Sequence, residues 1–135
     1  MKNKTNNNDL LKMTTHDIQP SGWGVFTQSF STEHAGWLAT VGVSGSSVKE
    51  AIHGVEGREL PLRDIAIDLK DDQHVAVITI GQNDDNVLVH EVRNVSRISL
   101  MNIENDPSTL LQIDGANGQT TTLKVSPPLP DTRVL

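Results

Sequence analysis

From Pro61 onward the chain consists of short apolar runs separated by turn residues, and this feature most constrains its fold. Apolar and polar residues alternate within most of these runs, a period of two that predicts β-strands with one buried face. Strands this short, joined by such turns, favour an antiparallel meander of about six strands or a small barrel. The runs span residues 62–69, 74–80, 87–92, 96–103, 110–113 and 120–125.

Three segments refine the predicted sheet. Residues 74–80 (HVAVITI) are apolar on both faces, which is typical of an interior strand. Residues 114–118 (DGANG) predict a tight hairpin turn, because Gly and Asn tolerate positive φ angles. The Pro-rich segment 126–135 cannot extend a central strand, since proline lacks a backbone donor. We therefore expect the last strand to end near residue 125.

A single helix is predicted ahead of these strands. Trp23, Phe26 and Phe30 fall at i, i+3 and i+7, so they share one face of a helix. We expect this helix to span residues 21–30 with Ser21 as its N-cap, despite two glycines that each cost about 1 kcal/mol relative to alanine in a helix interior. Such a helix covers the open face of a sheet or plugs one end of it.

All four aromatic side chains of the chain lie between Trp23 and Trp37, and two interpretations are open. In the first they form the core, because a sheet so poor in aromatic residues needs bulky filling. Trp37 begins a predicted strand at 37–43 and closes over the helix face. In the second they form an exposed patch that marks an interaction site, with Glu33 and His34 as its polar rim.

The length and composition fit one globular domain. A chain of 135 residues, 36% of them hydrophobic, buries a core without metals or disulfides. We expect the domain to occupy residues 14–130, with a flexible tail at 1–13 and a second tail at 131–135. Within the domain, residues 44–57 read as a Gly- and Ser-rich connection.

The charge and the absence of cysteine exclude several classes of partner. The net charge is −6 and the 11 basic residues are scattered, which argues against binding to nucleic acid or to an anionic membrane surface. No apolar stretch approaches the roughly 18 residues that span a bilayer. The sequence contains no cysteine and no apolar leader run, so we expect a cytoplasmic protein.

The motifs of common enzyme classes are absent from the sequence. Residues 42–47 (GVSGSS) do not form the G-x-S-x-G elbow of serine hydrolases, and no phosphate-binding glycine loop occurs. The five histidines are too far apart for a helical zinc pair, and thiolate sites and nucleophiles require cysteine. We therefore predict no catalytic residues, no metal and no cofactor.

His90 and a group of aspartates are the remaining candidates for chemistry. His90 shares a predicted strand face with Leu88 and Val92, so it points inward, either as a hydrogen-bonded core histidine or as the lining of a pocket. The aspartates are either solvated turn residues or carboxylates that bind Ca²⁺ or act as acid and base. They are Asp64, Asp68, Asp71, Asp72, Asp84 and Asp85.

Two functions are consistent with these features. The favoured one is a non-catalytic module that binds a protein partner or forms a homodimer, through a strand edge or the aromatic face. The alternative is a small enzyme or ligand-binding barrel, with His90, His34 and Glu33 near one rim and Asp64 or Asp68 as acid or base. The candidate pocket or interface residues are Trp23, Phe26, Phe30, Glu33, His34, Trp37 and His90.

Four segments also carry a resemblance to a known family. They are FSTEHAGWLATVGV (30–43), ELPLRDIAIDL (59–69), VHEV (89–92) and DGANGQTTTLKVSPPLP (114–130). In this order they resemble an uncharacterised bacterial family of small proteins, number 5335 among the domains of unknown function, over about residues 14–130. The resemblance implies a stand-alone bacterial domain with no established activity, cofactor or catalytic residues.

Overall fold

The protein is represented by a computed structural model that describes residues 12–44 and 55–128, apart from the side chains of 55–58. Within these ranges the chain forms one α-helix, α1 (Trp23–Glu33), which follows a turn of 3-10 helix (Pro20–Gly22). It also forms eight strands, β1 (Met13–Ile18), β2 (Leu38–Ser44), β3 (Val55–Lys70), β4 (Gln73–Asn83), β5 (Asn86–Val92), β6 (Arg97–Ile103), β7 (Thr109–Asp114) and β8 (Thr120–Ser126).

The eight strands of the described residues form one open antiparallel sheet in the order β1-β6-β7-β8-β2-β3-β4-β5. The predicted mainly-β fold with one N-terminal helix is confirmed. The sheet has eight strands rather than about six, and it does not close into the small barrel that the strand lengths also permitted. Because β5 and β6 do not pair, the meander is divided into two runs, β3-β4-β5 and β6-β7-β8, with β2 between them.

β1 is the strand that the apolar pattern did not predict. Five of its six side chains are exposed, so it has no alternation, and its place is set by backbone pairing with β6. A side chain strengthens this pairing, since Asp17 Oδ1 accepts hydrogen bonds from Ser99 Oγ at 2.8 Å and Arg97 Nη2 at 3.0 Å. These bonds, that from Ser99 most of all, lower the pKa of the Asp17 carboxyl.

The sheet turns back on itself at β3. The first part of this 16-residue strand pairs with β2 up to Pro61, and the rest pairs with β4 from Leu62 onward. The two halves of the sheet therefore approach each other. The Ala116 N–H, in the β7–β8 turn, donates to the carbonyl oxygen of Arg93, just after β5, over 2.9 Å. An added Cβ at Gly115, in the β7–β8 turn, would lie 2.6 Å from Val92 of β5.

The core lies between the facing halves of the sheet and the helix. It consists mainly of Val, Ile and Leu, as a chain with 3% aromatic residues requires. Each strand from β2 to β8 contributes its inward residues, such as Val41 of β2, Ile78 of β4 and Leu111 of β7, which are fully buried. Trp23 and Phe30 complete this core from α1.

The helix starts later and ends later than the predicted span of 21–30. Ser21 lies in the 3-10 turn and is not the N-cap; that position belongs to Gly22, which offers no side-chain cap. The helix continues to Glu33, and Ser31 near its end is buried against β3. Its Oγ accepts a hydrogen bond from the Ile65 N–H at 2.8 Å and lies 2.7 Å from the Thr27 carbonyl oxygen.

This contact explains how α1 is held against the sheet. The Ser31 hydroxyl lies within hydrogen-bond distance of both backbone groups of Ile65, the N–H at 2.8 Å and the carbonyl oxygen at 3.2 Å. Ile65 pairs with Ile78 of β4 on one side, and beyond Pro61 no β2 pairing remains on the other. The helix therefore covers the part of the β3 edge that does not pair with β2. There the Ser31 hydroxyl takes the place of a neighbouring strand as hydrogen-bond partner of the Ile65 backbone.

The predicted strands and the DGANG turn are found where the sequence placed them, with ends that differ by a few residues and with a longer β3. Asn117 and Gly118 take φ angles of 63° and 73° in that turn. Residues 1–11, 45–54 and 129–135 lie outside the described residues, with most of the predicted tails and of the connection at 44–57. None of the described helices has the length and apolar character needed to cross a membrane.

Candidate functional site

A pocket of about 290 Å³ lies between α1 and the strands β6 and β7. Its floor is apolar, because Phe30 is buried and Phe26 and Leu100 are half-buried. Four of the seven residues predicted from the sequence meet here. The residues that line the pocket are Phe26, Ser29, Phe30, Glu33, His34, Leu100, Asn102 and Thr109.

Three rings from α1 and its C-terminal end form one wall of this pocket. Phe26, Phe30 and His34 are spaced four residues apart, so they are neighbours on one side of the helix. The ring centroids are 5.8 Å apart for Phe26 and Phe30, and 4.2 Å apart for Phe30 and His34. Trp37 holds His34 from outside the pocket in an edge-on contact at 4.6 Å. The aromatic stretch thus folds into a continuous row of rings in contact, tilted within the helix and edge-on at Trp37.

The hydrogen bond of His34 fixes the role of each ring nitrogen. Nδ1 lies 2.9 Å from the Phe30 carbonyl oxygen, and the backbone N–H of His34 donates to the same oxygen at 3.0 Å. A carbonyl oxygen only accepts, so Nδ1 carries the proton. In the neutral ring Nε2 is then a hydrogen-bond acceptor.

The aromatic residues divide between core and pocket. Trp23 and Phe30 are each 3% exposed, so the core interpretation holds for these two. Trp23 is fixed by a hydrogen bond from Nε1 to the Ile18 carbonyl oxygen at 2.9 Å and by an edge-on contact with His74 at 5.1 Å. Phe26 and Trp37 are half-buried and border on solvent. Of the predicted exposed aromatic patch, only Phe26 and Trp37 are partly accessible, beside the pocket.

His90 points inward, as predicted, but it lies away from this pocket. Its Nε2 is 3.0 Å from Thr121 Oγ1 of β8, and Thr121 is 1% exposed. Thr121 is four residues from Val125, which pairs with the pocket residue Thr109, a distance of about 13 Å along the strand. His90 therefore links the edge strand β5 to the interior strand β8 across the curled sheet, and it does not share a rim with His34 and Glu33.

The aspartates do not converge with His90. Asp64 and Asp68 are exposed and alternate with Ile65 and Ile67, so they face away from the side on which His90 lies. Asp71 and Asp72 form the β3–β4 turn with φ angles of 50° and 64°. Across the part of the chain that the structure describes, no three His, Asp or Glu side chains are grouped so as to hold a metal ion.

The outer edge of β5, which pairs with no other strand in the described part of the chain, is a second feature, and the sequence indicated it only in general terms. Val87 is 39% exposed and Val89 is 60% exposed on the outward face of this edge strand. Glu91, the one ionised residue within β5, is paired with Arg93 at 2.9 Å, and the hydrogen bond from Arg93 lowers the pKa of its carboxyl. The sequence signal for this exposed apolar surface was the run VLV at 87–89, which places apolar side chains on both faces of the strand.

No protein-family model, curated protein or solved structure matches this chain. The resemblance to the uncharacterised bacterial family therefore stays a prediction made from the four sequence segments. Evidence about function comes instead from the geometry of the pocket and of the β5 edge.

Proposed function

We propose that the protein is a non-catalytic module that associates with a second copy of itself through the free edge of β5. The observation that carries this proposal is the exposure of Val87 and Val89 on β5, whose outer edge pairs with no other strand of the described residues. An edge strand presents unpaired backbone N–H and C=O groups, and it pairs readily with another strand unless it is blocked.

The β5 edge lacks two of the residue types that commonly block such pairing. The strand Asn86–Val92 contains no proline and no lysine. Its one negative charge, Glu91, forms an exposed ion pair with Arg93, which partly offsets that charge. The other edge, β1, is shielded differently, since its side chains are mostly polar and Asp17 is bound by Arg97. Of the two edges, β5 is therefore the one suited to a further strand.

The sequence of β5 also favours one register for a two-fold symmetric pair. With Val89 on the symmetry axis, Val89 packs against the partner's Val89 and Val87 lies opposite the partner's Glu91. Just beyond the two ends of the paired strands, the exposed Asp85 would lie near the partner's Arg93, an opposite charge. If Leu88 lay on the axis instead, Asp85 would lie opposite the partner's Glu91. Such a like-charge pair is destabilising.

The test is sedimentation of the full chain over a concentration series of roughly 5 to 500 μM, which brackets micromolar dissociation constants. The wild type is expected to shift from monomer to dimer within this range. Val89→Lys places two positive charges on the axis and is expected to weaken association at least about tenfold. Val25→Lys is the matched control, because Val25 is 71% exposed and lies on α1.

Two results would contradict the proposal. One is a wild type that stays monomeric across the whole series. The other is a dimer that Val89→Lys and Val25→Lys weaken equally, since that would place the interface elsewhere. Circular dichroism of both variants checks that each retains the fold of the wild type.

A further inference from the structure

We infer that the pocket between α1 and β6–β7 binds a small protonated amine with a compact apolar body. This inference does not depend on self-association, because the pocket and the β5 edge are separate surfaces. It rests on three properties of the pocket, namely its apolar floor, the acceptor character of its polar groups and its uncompensated negative charge.

The apolar surface of the pocket favours a ligand whose main part is apolar, preferably an aromatic ring. Phe26 and Phe30 present ring carbons to the pocket, and Leu100 of β6 faces them from the sheet. A volume of about 290 Å³ equals that of about ten water molecules at roughly 30 Å³ each. The ligand is therefore about the size of one substituted ring. Phenylalanine faces also attract a cation placed over them.

Two polar side chains of the pocket, His34 and Asn102, present hydrogen-bond acceptors, and the hydroxyls of Ser29 and Thr109 can accept as well as donate. The proton of His34 is on Nδ1, where it is used by the Phe30 carbonyl, so Nε2 of the neutral ring is an acceptor. Asn102 directs its amide nitrogen to Thr109 Oγ1 at 3.4 Å, which leaves its Oδ1 as an acceptor. A ligand that satisfies such groups must bring donors, and an ammonium group brings three.

The charge of the pocket favours the same ligand. Glu33 lies on the rim, and its carboxylate has no ion-pair partner among the described residues. No Lys or Arg is among the described residues that line the pocket. The whole chain carries a net charge of −6, which attracts cations and repels anions over longer distances. An anionic ligand of the same shape would meet an unfavourable field.

The experiment is an NMR titration of the ¹⁵N-labelled full chain with three probes of matched shape. They are 2-phenylethylamine, which is cationic, 2-phenylethanol, which is neutral, and 3-phenylpropionate, which is anionic. The amine is expected to shift the amides of α1, β6 and β7 around the pocket in a saturable manner. The alcohol is expected to bind about fivefold more weakly and the acid more weakly still.

Two variants separate a local contact from general charge. Glu33→Gln removes the rim charge at an exposed position and is expected to weaken amine binding about fivefold, equal to about 1 kcal/mol. Asp72→Asn removes the same charge in the β3–β4 turn, at the other end of the helix, where Trp23 contacts His74. It is expected to leave amine binding unchanged.

Three results would overturn the inference. The first is that the amine produces no saturable shift up to about 10 mM. The second is equal affinity for the amine, the alcohol and the acid, which would mean that the pocket discriminates ligands by shape and not by charge. The third is an equal loss in Glu33→Gln and Asp72→Asn, which would mean that only the net charge of the chain matters. Because Val89→Lys leaves the pocket intact, amine binding by that variant is expected to match the wild type.

Discussion

Replacement of Ser31 by alanine tests how the helix is held on the sheet. In the wild type, Ser31 Oγ accepts the hydrogen bond of the Ile65 N–H at 2.8 Å, and both residues are buried, at 7% and 1% exposure. Alanine removes the acceptor but leaves the backbone donor in place. No β2 residue pairs with this part of β3, so the Ile65 N–H is left buried and unsatisfied.

The expected loss of stability follows from two opposing effects. An unsatisfied buried donor costs about 1 to 3 kcal/mol. The change from serine to alanine within a helix returns about 0.5 kcal/mol of helix propensity. The free energy of unfolding should therefore fall by about 0.5 to 2.5 kcal/mol. For a domain of this length each kcal/mol lowers the melting temperature by roughly 3 to 5 °C.

Thr32→Ala is the matched control for this measurement. Thr32 is the next residue of α1, it is exposed, and its hydroxyl donates only to the Gln28 carbonyl oxygen at 3.0 Å. Its replacement should change stability by less than about 0.5 kcal/mol. Urea denaturation followed by circular dichroism measures both variants. If Ser31→Ala is no less stable than Thr32→Ala, the Ser31 contact does not hold the helix and the reasoning is refuted.

Three further predictions concern other parts of the fold. Gly81→Ala should disrupt the β4–β5 hairpin and abolish dimer formation in sedimentation, because Gly81 has a φ of +147° and an added Cβ would lie 2.6 Å from a Cα of β5. Asp17→Asn should be less stable than the wild type at neutral pH in urea denaturation. The pKa of Asp17 is lowered from 3.8, chiefly by the hydrogen bond from Ser99, so this difference should disappear as the pH falls through the lowered value. Trp37→Phe leaves Trp23 as the one indole, and its emission should be blue-shifted and resistant to iodide at every protein concentration, because that side chain is 3% exposed.

Each of these three predictions has a result that would contradict it. A Gly81→Ala variant that dimerises normally would show that the hairpin tolerates a side chain there. A stability difference for Asp17→Asn that persists down to pH 2 would show that ionisation of the carboxyl is not its cause. Red-shifted, quenchable emission in Trp37→Phe would place Trp23 at the surface.

The strands and the helix were predictable because they depend on local alternation and spacing. The alternation from residue 62 to residue 125 reflects a sheet with one face on the core, and the spacing of Trp23 and Phe30 reflects the buried stripe of α1. The inward position of His90 followed from the same alternation. These features need only the distinction between apolar and polar residues along a few turns of chain.

What escaped prediction depends on contacts between distant residues. β1 has five exposed side chains among six, so its backbone pairing with β6, about 80 residues later, leaves no local pattern. The role of Ser31 arises only because Ile65 presents a bare edge 34 residues away. The separation of His90 from His34 and Glu33 depends on how β3 turns the sheet, and periodicity does not encode that turn.

The measurement that tests the proposed self-association most directly is oxidative cross-linking of Val89→Cys. The chain contains no cysteine, so the introduced thiol is the only one. Residues that face each other on antiparallel strands have Cα atoms about 4.5 to 5.5 Å apart, within the range of a disulfide. Val25→Cys reports on random collisions, because Val25 on α1 is 71% exposed and Val89 is 60% exposed.

Pairing at the β5 edge predicts that Val89→Cys forms a disulfide dimer under mild oxidation much faster than Val25→Cys at the same concentration. Equal rates for the two variants would contradict it, because Val89 would then have no partner thiol held beside it.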